Sequence, residues 1–135
     1  MNSCVFCKIL SGEIPAQKVY EDMHALAFLD INPASRGHTL VIPKQHYELL
    51  SHMPEKDYTN FMQSIHKIVK GLMKYSESMN ILQNNGKDAG QLVPHVHFHI
   101  IPRRPGDGLH IGAWRSTHDS DIEKVQKTIQ SLLKD

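Results

Sequence analysis

Three histidines alternate with apolar residues in the run His95-Val96-His97-Phe98-His99-Ile100-Ile101, and few backbone conformations accept such a pattern. In a strand successive side chains point to opposite faces, so His95, His97 and His99 share one face while Val96, Phe98 and Ile100 share the other. A strand buried on both faces has no use for three titratable rings, and an exposed one has no use for Val, Phe and Ile. The run therefore predicts a strand with its apolar face on the core and its imidazoles lining a cleft.

The rest of the chain supplies a sheet for that strand to join. Lys18–Glu21 and Ala25–Asp30 read as strands separated by a turn near Asp22, and His38–Ile42 as a third, stopped by Pro43. Asn80–Asn84 reads as a fourth, followed by the glycine-bearing loop 85–91, and the histidine run is the fifth, ended by Pro102. Between Pro54 and Ser76 apolar residues recur at three and four, from Tyr58 and Phe61 to Leu72 and Met73, which predicts one long amphipathic helix. Ser120-Asp121-Ile122-Glu123 reads as a capping box opening a C-terminal helix. The expected fold is a single α+β domain over residues 1–135, with an antiparallel sheet of about five strands, the long helix and the C-terminal helix.

Composition narrows the function. Fifteen basic residues against fourteen acidic ones give a formal charge of +1, which argues against nucleic acid as a partner. No segment approaches the length of a membrane span and the N-terminus lacks a leader pattern, so no membrane role and a cytoplasmic location are expected. Ten histidines are the unusual count.

The histidine row admits two chemistries, a metal site or nucleophilic and acid–base catalysis. Same-face neighbours on a strand lie roughly 7 Å apart, too far for three imidazoles to share one ion easily, so divided labour is favoured. Cys4-Val5-Phe6-Cys7 is a C-x-x-C pair whose spacing suits metal binding or redox chemistry, with two inert thiols as the plain alternative. A thioredoxin-like role would want that pair opening a helix after a strand, and no strand precedes it.

Several stretches together resemble the histidine triad family: Cys4–Ile9 with Gly12–Pro15, Ala27–Ile31, Gly37–His46, and Asn84–Arg103, the last containing the full motif of three histidines each followed by an apolar residue. The likeness is greatest to bacterial members related to its purine-nucleotide phosphoramidase and dinucleoside-polyphosphate hydrolase branch. It implies that His97 is a nucleophile forming a nucleotidyl-imidazole intermediate at an α-phosphate, with one ring nitrogen held by a backbone carbonyl and the other free to attack. His95 and His99 complete the catalytic row, and Asn84 and Gln91 donate to phosphoryl oxygens. Asp30 takes the ribose hydroxyls, and Val5, Phe6, Ile9, Ile14, Phe28 and Ile31 surround the base. In zinc-containing relatives the set corresponding to Cys4, Cys7, His46 and His95 holds a structural zinc.

The resemblance further implies a homodimer acting on adenosine phosphoramidates, acyl or aminoacyl adenylates, or dinucleoside polyphosphates. A rival of another class is a nucleotide-binding interaction module with vestigial hydrolysis. Leu92 departs from the serine that many relatives carry there, and Trp114 lies in a segment that varies among them.

Overall fold

The computed structural model describes residues 3–111 and 121–134. Five strands, β1 (Lys18–Glu21), β2 (Ala25–Leu29), β3 (Thr39–Pro43), β4 (Ser78–Gln83) and β5 (Phe98–Arg103), form one antiparallel sheet in the order β1-β2-β3-β5-β4. Three α-helices accompany it: α1 (Val5–Ser11), α2 (Glu55–Leu72) and α3 (Ile122–Leu133). This is the expected α+β architecture.

The sheet is covered on both faces, and strand alternation divides its side chains between two cores. Ala25, Ala27 and Leu29 of β2, Val41 of β3, and Phe98 and Ile100 of β5 pack with Phe61, Ile65, Ile68 and Leu72 of α2 and Val125 and Ile129 of α3. Leu26 and Phe28 of β2 and Leu40 and Ile42 of β3 turn the other way, onto Cys4, Phe6 and Ile9 at α1. Each fully buried Val, Leu, Ile or Phe of these cores contributes roughly 1.5–3 kcal/mol of burial. Every residue of β2 is buried, which is why that strand reads as a continuous apolar run instead of a half-polar one.

The two sheet edges differ. At β1 the Lys18 carbonyl accepts hydrogen bonds from the side-chain amides of Gln126 and Gln130 on α3, each at 2.8 Å, so the helix caps that edge. At β4 no residue is buried, and Ile81 is 49% exposed. An uncovered edge strand carrying an apolar side chain is a template for pairing.

The first turn of the sheet is held by one carboxylate. Asp22 Oδ1 accepts from the backbone N–H groups of His24 and Ala25, and Oδ2 from Tyr20 and from Ser64 of α2. Burial alone would raise its pKa, but these four donors outweigh it and hold the carboxyl below the ordinary range. The residue that makes the β1–β2 turn thus also ties it to α2.

Two expectations are corrected, and one helix joins the expected elements. The histidine strand begins at Phe98, not His95, and runs through Pro102 to Arg103. Its pairing with β3 spans only Phe98 to Ile100, so Pro102 lies beyond β3 and its missing N–H costs no ladder bond. The seven-residue helix α1 is missing from the periodicity reading, because two turns are too short to show a pattern. Finally, Asp121 occupies the cap position of α3 without a side-chain cap bond. Ser120 of the expected capping box lies outside the described residues, as does Trp114.

Candidate active site and metal centre

The alternation of the histidine run survives although its first half is not strand. The Val96 N–H donates to the Tyr47 carbonyl at 2.8 Å, holding this approach segment in line with β5. Val96 faces the helical core with Phe98 and Ile100, and the three imidazoles face α1. His95 and His97 are buried, 0% and 5% exposed, while His99 is partly exposed. Phe6 of α1 lies across them, its ring centroid 5.1 Å from that of His97, 5.8 Å from His95 and 5.6 Å from Phe28, edge to face in each case.

Hydrogen bonds to backbone groups set the ring tautomers. His97 Nδ1 lies 2.8 Å from the His95 carbonyl oxygen. A carbonyl only accepts, so Nδ1 carries the proton and Nε2 keeps its lone pair. His95 Nε2 lies 3.3 Å from the Pro43 carbonyl and donates to it, which leaves the lone pair on Nδ1, the nitrogen that faces the two cysteines. Neighbouring histidines thus expose opposite nitrogens for different work.

His38, at the start of β3, is a fourth member that the strand pattern alone does not single out. It is 1% exposed, and its Nδ1 accepts the Ala34 N–H at 2.9 Å, so its proton sits on Nε2. That atom is 2.9 Å from His99 Nδ1, which must accept, placing the His99 proton on Nε2. The ordered chain Ala34 N–H to His38 to His99 makes His99 a donor at Nε2. His97 and His99 ring centroids are 5.0 Å apart, so a ring with its lone pair on Nε2 and a ring with its proton on Nε2 stand side by side.

Burial keeps all these rings neutral. It lowers the pKa of His97, and together with the neighbouring histidines it lowers those of His99 to about 4 and His38 to about 3. His38 Nε2 is also 3.6 Å from Asp30 Oδ2, but a neutral ring at that distance makes no ion pair. Asp30 follows β2, and its Oδ1 accepts the Asn32 N–H at 2.8 Å. Burial raises the Asp30 pKa against that hydrogen bond.

The apolar residues expected around the base separate into two groups. Phe6, Ile9, Ile14 and Phe28 pack in one cluster beside the histidines. Val5 and Ile31 stand outside it, 37% and 78% exposed. Asn84, just past β4, spends one amide hydrogen on the Gly90 carbonyl at 3.4 Å. Gln91 is corrected: its amide nitrogen donates to the Glu48 and Val93 carbonyls and its oxygen accepts the Gly86 N–H. It clamps the loop after β4 and has no donor to spare for a phosphate. Leu92, next in the chain, is 89% exposed.

Cys4, Cys7, His46 and His95 converge at the other end of the row, with all four ligand atoms within 4.8 Å of one another. The C-x-x-C pair does open a helix: Cys4 is the N-cap of α1 and its sulfur accepts the Cys7 N–H. His46 arrives from the loop after β3. A tetrahedral zinc site with ordinary bond lengths has edges of about 3.3 Å between two nitrogens and about 3.6 Å between nitrogen and sulfur. Here the two Nδ1 atoms are 3.1 Å apart, and three of the four nitrogen–sulfur distances are 3.3, 3.4 and 3.7 Å. The donors, the His95 tautomer and the spacing all fit a closed Cys₂His₂ zinc site.

Comparison with known proteins places this arrangement. The family described as HIT domain matches residues 11–106. An uncharacterised HIT-like protein of Methanocaldococcus jannaschii is 52% identical over 128 residues, covering 94% of this chain and 98% of that one. The adenosine 5'-monophosphoramidase of Saccharomyces cerevisiae is 40% identical over 131 residues, covering 97% and 81%. Among solved structures, a zinc-bound histidine triad family protein from Mycobacterium smegmatis superimposes with a TM-score of 0.87 at 39% identity, covering 98% of this chain and 94% of that one. A histidine row fixed by backbone tautomers, on a five-stranded sheet shared with relatives along almost the whole length, makes this chain a member of the histidine triad (HIT domain) family.

Proposed function

We propose that the protein hydrolyses purine nucleotide derivatives at the α-phosphate through a nucleotidyl-histidine intermediate on His97. The observation that carries this reading is the bond from His97 Nδ1–H to its own segment's carbonyl, which leaves Nε2 as an unprotonated nucleophile at neutral pH. Nε2 attacks phosphorus, and the bond to the leaving group breaks, the leaving group departing with that electron pair and a proton from solvent. The ring becomes cationic, and the His95 carbonyl stabilises that charge through the Nδ1 proton. Water then attacks phosphorus and gives up a proton to solvent, the phosphorus–nitrogen bond breaks with its electron pair returning to Nε2, and the nucleoside monophosphate departs with His97 neutral again. His99, kept a donor at Nε2 by His38, stabilises charge on the phosphoryl oxygens, and Asn84 supplies a second donor through its remaining amide hydrogen.

Phosphoramidates and related adenylates are the substrate class this reading favours, in keeping with the activity named for the yeast relative. Phe6, Ile9, Ile14 and Phe28, with Val5 and Ile31 at the exposed lip, take the base, and Asp30 takes the ribose. The test is adenosine 5'-phosphoramidate turnover compared with its 2'-deoxy analogue. A carboxylate hydrogen bond to a ribose hydroxyl is worth about 1.5–3 kcal/mol, so the wild type should favour the ribonucleotide by about tenfold or more, and Asp30→Asn should erase most of that preference. Equal kinetics on both sugars in the wild type would remove Asp30 from the ribose site.

Zinc held by Cys4, Cys7, His46 and His95 would be structural, because a closed four-ligand site has no position for an activated water. When bound, it supplies cross-linking of the N-terminus to the sheet and no step of the reaction. Elemental analysis should find about one zinc per chain, and its absence from protein prepared without chelators would refute the site. Among the described residues β4 is an edge strand with Ile81 exposed on it, which supports the reading that two copies associate as a homodimer.

A further inference from the structure

Helix α1 carries two sets of residues interleaved within its first turn. Cys4 and Cys7 reach the metal cluster, and Phe6 between them covers His97. A seven-residue helix does not hold its own conformation in water. Its position depends on what ties it to the sheet: the packing of Phe6 and Ile9 and the two sulfurs that meet His95 and His46.

The two sulfurs are also placed to react with each other. Cys4 at the N-cap and Cys7 three residues on bring their Cα atoms to about 5–6 Å, within the range a disulfide spans. Cys4 is buried, whereas Cys7 is partly exposed, so an oxidant meets Cys7 first. These are the only cysteines in the chain, so each is the other's sole intramolecular partner.

We propose that Cys4 and Cys7 form an oxidisable clasp: their conversion to a disulfide dissolves the Cys₂His₂ cluster and loosens α1, lifting Phe6 from His97 and weakening nucleotide binding. The effect on nucleotide rests on the function proposed above; the loosening of α1 does not. The oxidant is a peroxide. The Cys7 sulfur attacks one peroxide oxygen, a sulfur–oxygen bond forms, the oxygen–oxygen bond breaks and one water leaves, giving a sulfenic acid. The Cys4 sulfur then attacks the Cys7 sulfur and expels the second water. Two electrons pass from the sulfurs to the peroxide, and a metal ion bound to the thiolates departs without changing charge. His46 and His95 keep their imidazoles but lose their sulfur partners, Cys7 and Cys4.

The experiment treats zinc-loaded protein with hydrogen peroxide. It reads intact mass, zinc released to a chromogenic chelator, hydrogen exchange over residues 5–11, and AMP affinity by titration. The expected result is loss of two hydrogens, one zinc released per disulfide, at least tenfold faster exchange in α1 and at least tenfold weaker AMP binding, all reversed by dithiothreitol with added zinc. In Cys7→Ser, peroxide should change neither exchange nor affinity from that variant's own starting values. Undiminished α1 protection in the disulfide form, or thiols that proceed to sulfinic acid without a disulfide, would overturn the clasp. Failure of the reduced, zinc-loaded protein to bind AMP would instead sink the nucleotide reading, leaving the exchange data to judge the clasp.

Discussion

Replacing His97 with alanine should lower turnover of adenosine phosphoramidate by at least about a thousandfold, the scale on which losing a covalent nucleophile is felt. AMP binding should change little. The reasoning is local: His97 contributes a ring whose Nδ1 is spent on the His95 carbonyl and whose Nε2 is the atom proposed to attack phosphorus. The groups assigned to the base and ribose lie on α1 and the segment after it, on β2 and in the loop after β2. The side chain is buried, so its loss leaves a cavity beside Phe6 and some stability goes with it. Binding and melting therefore have to be measured beside kinetics, so that a lost nucleophile is told apart from a lost fold. A variant that turns over as the wild type does would remove His97 from the mechanism.

Acid should unfold the protein earlier than its carboxylates alone would require. Burial holds the folded-state pKa of His99 at about 4 and that of His38 at about 3, and lowers that of His97. An unfolded histidine titrates near 6.5. Between these values the unfolded chain binds protons that the folded chain refuses, so stability falls as the pH drops below about 6.5 and the loss continues towards about 4. Two such rings correspond to about 2 kcal/mol per pH unit near pH 5, a large share of a typical 5–15 kcal/mol. Asp30, with its raised pKa, works in the opposite direction, but it is one group against three and acts from the ordinary carboxylate range upward. Melting temperature should therefore decrease steadily from pH 7 to pH 5, with uptake of more than one proton per chain on unfolding. A flat profile over that interval would contradict the neutral, buried histidine cluster.

The parts of this protein that could be read from sequence are those where periodicity reports burial. Alternation located β5, and threefold and fourfold spacing located α2 and α3, because the faces of those elements are uniformly apolar over several turns or pleats. The motif around His95 to Ile101 and the Cys4–Cys7 pair stood out by local spacing, but spacing alone left metal binding and catalysis both open. What escaped depends on contacts distant in sequence. His38 reads as the polar first residue of a strand, and its meaning comes from the register that sets Leu40 opposite His99. Gln91 looks like a donor beside a glycine loop, yet its amide is consumed by the Glu48 carbonyl 43 residues away. Helix α1 is stabilised by packing on the sheet, a tertiary effect that seven residues cannot display on their own.

The covalent step is the centre of this account, and rapid-quench mass spectrometry tests it most directly. Wild-type protein mixed with adenosine 5'-phosphoramidate and quenched during the first turnovers should carry one adenylyl group, mapped by peptide sequencing to His97 and absent from His97→Ala. Full turnover with no adduct at any quench time, or an adduct on His95 or His99, would contradict the assignment of His97 as the nucleophile.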